Sequence, residues 1–146
     1  AANKISAYKW IKALLSVIFI ISAIYMLVPA GKDKLDWKVY SSAEFEKVKP
    51  GKKIILDFYA DWCIPCKELD ALTFSNPEVK NILSDYERFK IDLTSAMSDE
   101  TENLKNMFVI TGVPTIIIFN SDGEETERIT GFIPAKEMIE KLNNIK

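Results

Sequence analysis

Two short runs, Ile54–Ala60 and Thr115–Phe119, are almost wholly apolar. Strands of this kind have no polar face and must be covered on both sides, so the chain needs helices above and below a sheet. The intervening segments supply them. Trp37-Lys38-Val39-Tyr40 alternates and suits an edge strand. Ser41 or Ser42 can cap a short helix through Lys49, which Pro50-Gly51 stops. Trp62 onward reads as a turn into a helix reaching about Ala71, and Asn76-Pro77-Glu78 starts another, with Asn76 as cap and Pro77 at the first helical position. Phe89–Leu93 alternates as a strand should. Ser98 caps a helix through Met107. Ser121-Asp122-Gly123 is a hairpin turn, Glu125–Thr130 the return strand, and Pro134 opens a final helix with Ile139 and Leu142 inward. The order βαβαβαββα predicts an α/β fold with early parallel strands and a late antiparallel hairpin.

The 146 residues divide unequally. Charges nearly balance, with 19 Lys and Arg against 21 Asp and Glu. Yet residues 1–30 hold Lys4, Lys9 and Lys12 and no acid, and 22 of these 30 residues are hydrophobic. From Ala13 to Ala30 no residue is charged, and Leu14–Ile21 has no polar face. As a helix those 18 residues would span about 27 Å, close to a bilayer hydrocarbon core. Trp10 and Tyr25 suit the two interfaces, Lys12 can snorkel, and the three lysines favour a cytoplasmic N-terminus. The expected organisation is a transmembrane helix with a short basic flank over 1–30, a linker over 31–36 and a domain over 37–146. The alternatives are a buried core helix, or a cleaved signal peptide ending near Val28-Pro29-Ala30. The start at Ala1-Ala2-Asn3, without Met, is what a piece of a longer polytopic protein would show, the apolar helix then being the last of several.

There is no histidine and there are two cysteines. That excludes Ser-His-Asp and Cys-His catalysis, a His-ligated metal and a four-thiolate zinc site within one chain. Two cysteines are also too few for a disulfide scaffold. The mild acidity argues against a nucleic-acid partner. The cysteines stand as Trp62-Cys63-Ile64-Pro65-Cys66, after a buried strand and at the start of a helix. Cys63 would then meet unpaired backbone N–H groups that favour a thiolate, the nucleophilic form. Cys66, one turn later on the same face, is close enough for a disulfide. Half of a metal site shared with another chain and two unreactive core thiols are the other readings.

Tyr59-Ala60-Asp61-Trp62-Cys63-Ile64-Pro65-Cys66-Lys67 resembles a thioredoxin-fold active site, and Thr111-Gly112-Val113-Pro114-Thr115 resembles that family's cis-proline segment. Thr73-Phe74-Ser75-Asn76-Pro77-Glu78-Val79 is similar to the same stretch in C-terminal domains of the DsbD family of thiol:disulfide interchange proteins. The resemblance implies a thioredoxin fold, with a mixed sheet flanked by helices. It further implies a redox-active Cys63–Cys66 disulfide, with Cys63 as nucleophile and Cys66 as resolving thiol, beside Trp62 and a cis-Pro114. No cofactor is implied. Asp57, six residues before Cys63, falls where the family keeps a buried acid; burial would raise its pKa and suit proton exchange with Cys66. A surface or salt-bridged Asp57 is the alternative. Asp70 falls where DsbD domains carry an acid. On one helix stripe with the cysteines it would oppose thiolate formation; otherwise it is a solvated charge. Pro65 and Ile64 depart from the usual residues between the cysteines and bear on redox poise.

The implied function is a membrane-tethered thiol–disulfide oxidoreductase in the cytoplasmic membrane, its domain facing the periplasm or exterior. It would pass electrons from a membrane-embedded donor domain to extracytoplasmic disulfide-bearing proteins. An independent single-span reductase, for instance in cytochrome c maturation, and a non-catalytic binding module are the rival readings.

Overall fold

The computed structural model describes residues 10–12, 14–19, 22, 35–95 and 98–145. The chain divides into two compact units, Ala1–Asp33 and Lys34–Lys146. In the first, residues 10–12, 14–19 and 22 are helical, and Trp10, Leu14, Leu15, Ile18 and Phe19 are all exposed. Most of the expected membrane span over 13–30 lies outside the described residues. Among the described residues, no helix is long and apolar enough to cross a membrane.

The second unit is built on a five-stranded sheet. Its strands are β1 (Lys38–Val39), β2 (Lys53–Tyr59), β3 (Tyr86–Asp92), β4 (Thr115–Phe119) and β5 (Glu125–Thr130). Their spatial order is β1-β3-β2-β4-β5. The first three are parallel neighbours; β4 runs antiparallel to β2, and β5 to β4. The helices are α1 (Ser42–Val48), α2 (Ile64–Glu68), α3 (Pro77–Leu83), α4 (Asp99–Phe108) and α5 (Ala135–Asn143). The strands follow in the expected order, with two α-helices, α2 and α3, between β2 and β3 where the expected order βαβαβαββα counts one, and β3 begins three residues earlier than its apolar alternation suggests. The helix after the cysteines does not continue as α-helix to Ala71. It widens into a π-helical segment over Leu69–Thr73, closed by the Phe74 N–H on the Leu69 carbonyl at 2.9 Å.

β2 is the hub because its side chains alternate between two apolar layers. Ile54, Leu56 and Phe58 join Phe45, Phe89, Ile91, Phe108, Ile117 and Phe119 on one face. Ile55 joins Leu69, Val79, Leu83, Ile116, Ile118, Met138 and Leu142 on the other. Phe58 is fully buried and meets Phe108 edge-on at 5.3 Å; burial of such a side chain contributes about 2–3 kcal/mol. Asp57 belongs by alternation to the Ile55 face, which the π-helical segment, α3 and α5 cover.

Two helix starts match their sequence cues. Asn76 Oδ1 accepts from the N–H groups of Glu78 and Val79 at 2.9 and 3.3 Å, with Pro77 next. Ser98 Oγ accepts from the Thr101 N–H at 3.2 Å. The end of α4 is less expected. Val109 closes it at φ 53° and ψ 50°, a left-handed conformation that strains a β-branched residue. The backbone there is satisfied, the Ile110 N–H reaching the Lys105 carbonyl at 2.8 Å. Val109→Gly is therefore expected to stabilise the domain by about 1 kcal/mol, after allowing for glycine's greater unfolded-chain entropy. A urea midpoint raised at constant slope is the expected reading; an unchanged or lower midpoint would remove the strain from the account.

Candidate active site

The cysteine loop is fixed by backbone it shares with two neighbouring strands. The Leu93 N–H bonds the Tyr59 carbonyl at 2.8 Å, and the Asp61 N–H bonds Thr94 Oγ1 at 2.9 Å. The Cys63 N–H then turns back to the Ala60 carbonyl at 3.0 Å. Cys63 caps α2 in extended conformation, and its Sγ accepts the Cys66 N–H at 3.1 Å. Pro65 fits the first turn, where no intrahelical N–H is needed. Cys63 and Cys66 are joined as a disulfide, with Cα atoms 5.3 Å apart.

Both cysteines are buried, at 3% and 6% exposure, and pack with Ala60, Tyr59 and Val113. Their flanking residues are not: Trp62 is 64% and Ile64 69% exposed. The disulfide thus lies beneath an open apolar rim. The Val113–Pro114 bond beside it is cis. That loop is held by Thr115 Oγ1 donating to the Gly112 carbonyl at 2.7 Å and by the Gly131 N–H on the Pro114 carbonyl at 2.9 Å.

Asp57 is buried, and it is also ion-paired. Its Oδ2 lies 3.3 Å from Lys90 Nζ, while Oδ1 has no hydrogen-bond partner. Burial pushes its pKa up to about 6; Lys90 works against that rise and Asp70 adds to it. Lys90 bridges onward to Asp70 at 2.7 Å. Asp70 is half exposed, at the edge of the inward stripe of Cys63, Cys66, Leu69 and Thr73. Its carboxylate is taken up by Lys90.

Lys90 was not singled out from the sequence. Its cue was present, a lysine between two core residues, Phe89 and Ile91, of an alternating strand. Only the β2–β3 register, which sets Lys90 opposite Asp57, gives it meaning.

A family model for a thioredoxin-like domain matches residues 41–146. The thiol:disulfide interchange protein DsbD of Haemophilus ducreyi is 38% identical over 113 residues, covering 74% of this chain and 20% of that protein. DsbD of Salmonella typhimurium is 42% identical over 87 residues, covering 58% and 15% respectively. The chain thus spans about a fifth or less of the length of the curated relatives it matches. Among solved structures, the oxidised C-terminal domain of Neisseria meningitidis DsbD superposes with a TM-score of 0.63 at 31% identity. That match covers 76% of this chain and 100% of that domain. A thioredoxin from Thermus thermophilus matches with a TM-score of 0.63 at 19% identity, over 75% of this chain and 86% of that one; it bears on the fold alone.

Proposed function

The chain belongs to the thioredoxin-like family, and we propose that residues 37–146 are the thiol–disulfide oxidoreductase domain of a DsbD-type relay, joined by a linker over 31–36 to a membrane anchor over 1–30. The observation that carries this reading is the Cys63–Cys66 disulfide at the start of α2, beside the cis Val113–Pro114 loop and under an exposed Trp62 and Ile64. The charge-free run Ala13–Ala30 motivates the anchor, and the lysines before it support a domain facing the periplasm or exterior.

In the reduced protein Cys63 attacks one sulfur of a partner disulfide. The partner's S–S bond breaks, a Cys63–partner bond forms, and the leaving thiolate takes a proton. Cys66 then attacks Cys63 Sγ, freeing the second partner thiol and forming the Cys63–Cys66 disulfide. Two electrons pass to the partner. The Cys66 N–H now resting on Cys63 Sγ is positioned to stabilise the Cys63 thiolate. Asp57, with its pKa near 6, can take the Cys66 proton as that thiol becomes the attacker. Asp70 opposes charge at the cysteines, and its ion pair with Lys90 tempers the effect. Trp62, Ile64 and the Pro114 loop form the surface on which the partner lies. A membrane-embedded dithiol donor restores the reduced pair.

Cys66→Ala tests this reading in membranes of the producing cell. The variant cannot resolve its intermediate and is expected to accumulate reductant-sensitive adducts with extracytoplasmic proteins or with the donor. No adduct, or equal adducts in the Cys63→Ser/Cys66→Ala double variant, would reject the assignment.

A further inference from the structure

Lys90 Nζ is held between two rings, 5.4 Å from the Trp37 centroid and 5.0 Å from that of Tyr59. Trp37 immediately precedes β1 and has no part in the exchange chemistry described above. It is nonetheless firmly seated. Its ring meets Phe74 edge-on at 4.9 Å. The carbonyl of the residue before it, Asp36, accepts from Arg88 Nε at 3.2 Å, and Arg88 Nη1 also reaches the Tyr86 carbonyl at 2.8 Å. Leu35 packs against the same core.

The seat matters because Lys90 has two anions of unlike exposure to serve. Asp70 is half exposed and can be met in water, whereas Asp57 is almost fully buried. A lysine on a flexible stem gains hydration by leaning toward the exposed carboxylate. Two aromatic faces beside the ammonium replace part of the hydration it loses by staying near the buried one.

We propose that Trp37 is a positioning residue of the redox centre: its ring keeps the Lys90 ammonium against Asp57, and so sets how tightly that carboxylate holds its proton. This deepens the exchange function proposed above and rests on it. Lys90 on β3 and Asp70 on the π-helical segment are the charged groups facing Asp57, and Asp61 and Asp92 add negative charge on the Tyr59 side. Without the Trp37 ring, Lys90 shifts toward Asp70 and water. Asp57, buried and with Oδ1 already unpartnered, then keeps its proton to higher pH.

The test compares Trp37→Leu, which keeps apolar bulk against Phe74 without a π face, with Trp37→Phe, which keeps a ring. Asp57 is titrated through its carboxyl carbon shift by NMR, in the oxidised, detergent-solubilised full chain. Trp37→Leu is expected to raise the midpoint by about half a pH unit or more, and Trp37→Phe to leave it near that of the parent. An unmoved or lowered midpoint in Trp37→Leu, or an equal rise in both variants, would overturn the proposal. Should Trp37→Leu not fold, Trp37→Met carries the same comparison. The titration needs no turnover, so it still reads Trp37 if the exchange function itself fails.

Discussion

Cys63→Ser is expected to bring disulfide reduction down to the uncatalysed background while leaving the domain folded. The exchange step needs a thiolate, and a serine hydroxyl neither ionises near neutral pH nor attacks a disulfide sulfur. Little else should change, because serine is nearly isosteric and its oxygen can still accept the Cys66 N–H that now rests on Sγ. The comparison is between parent and variant in an insulin-reduction assay driven by dithiothreitol, with thermal unfolding followed in parallel. Retained activity would exclude the dithiol mechanism and leave a binding role beside the cysteines. Loss of both activity and fold would instead make the disulfide chiefly structural.

Asp57→Asn should stabilise the protein at pH 7 and flatten its pH dependence. The folded pKa of Asp57 is about 6 against an ordinary 3.8, so between those values the native state binds the proton more tightly than the unfolded chain does. Stability then falls as pH rises from about 4 to about 6, and the full penalty remains above that window. Two pH units correspond to roughly 2–3 kcal/mol, of which asparagine recovers the part not offset by its own burial and by the lost Lys90 pair. Urea unfolding at pH 4 and pH 7 checks the sign. The parent should be the less stable of the two proteins at pH 7, and the two should converge at pH 4. A parent whose stability does not fall between these values would contradict the assigned ionisation. The same variant should slow the resolving step at Cys66, since asparagine cannot accept its proton.

What could be read from the sequence was whatever short-range chemistry fixes. The doubly buried β2 and β4 needed only their lack of a polar face, and the helix starts at Asn76 and Ser98 only their capping residues. The cysteine pair sat in a context that strand, turn and helix cues define together. Long-range pairing was not legible. Asp57 could be placed on a covered face, but the cation beside it depended on a register between strands about thirty residues apart in the chain. The start of β3 was hidden for a similar reason. Glu87 and Arg88 look like loop residues until their partners are known: Lys38 at 2.8 Å for Glu87, and the Tyr86 and Asp36 carbonyls for Arg88. The change from α to π geometry at Leu69 had no local cue, because Leu69–Thr73 is compatible with either.

The reversal of β4 has a geographical consequence. Phe58, near the exit of β2, is opposite Thr115, at the entrance of β4. A proline roughly fifty positions downstream of the cysteines therefore arrives at their doorstep. Run in the parallel sense, the same five-residue strand would deliver that proline to the far margin of the sheet, roughly 15 Å away. One strand direction thus brings two remote stretches of sequence together as a single working surface.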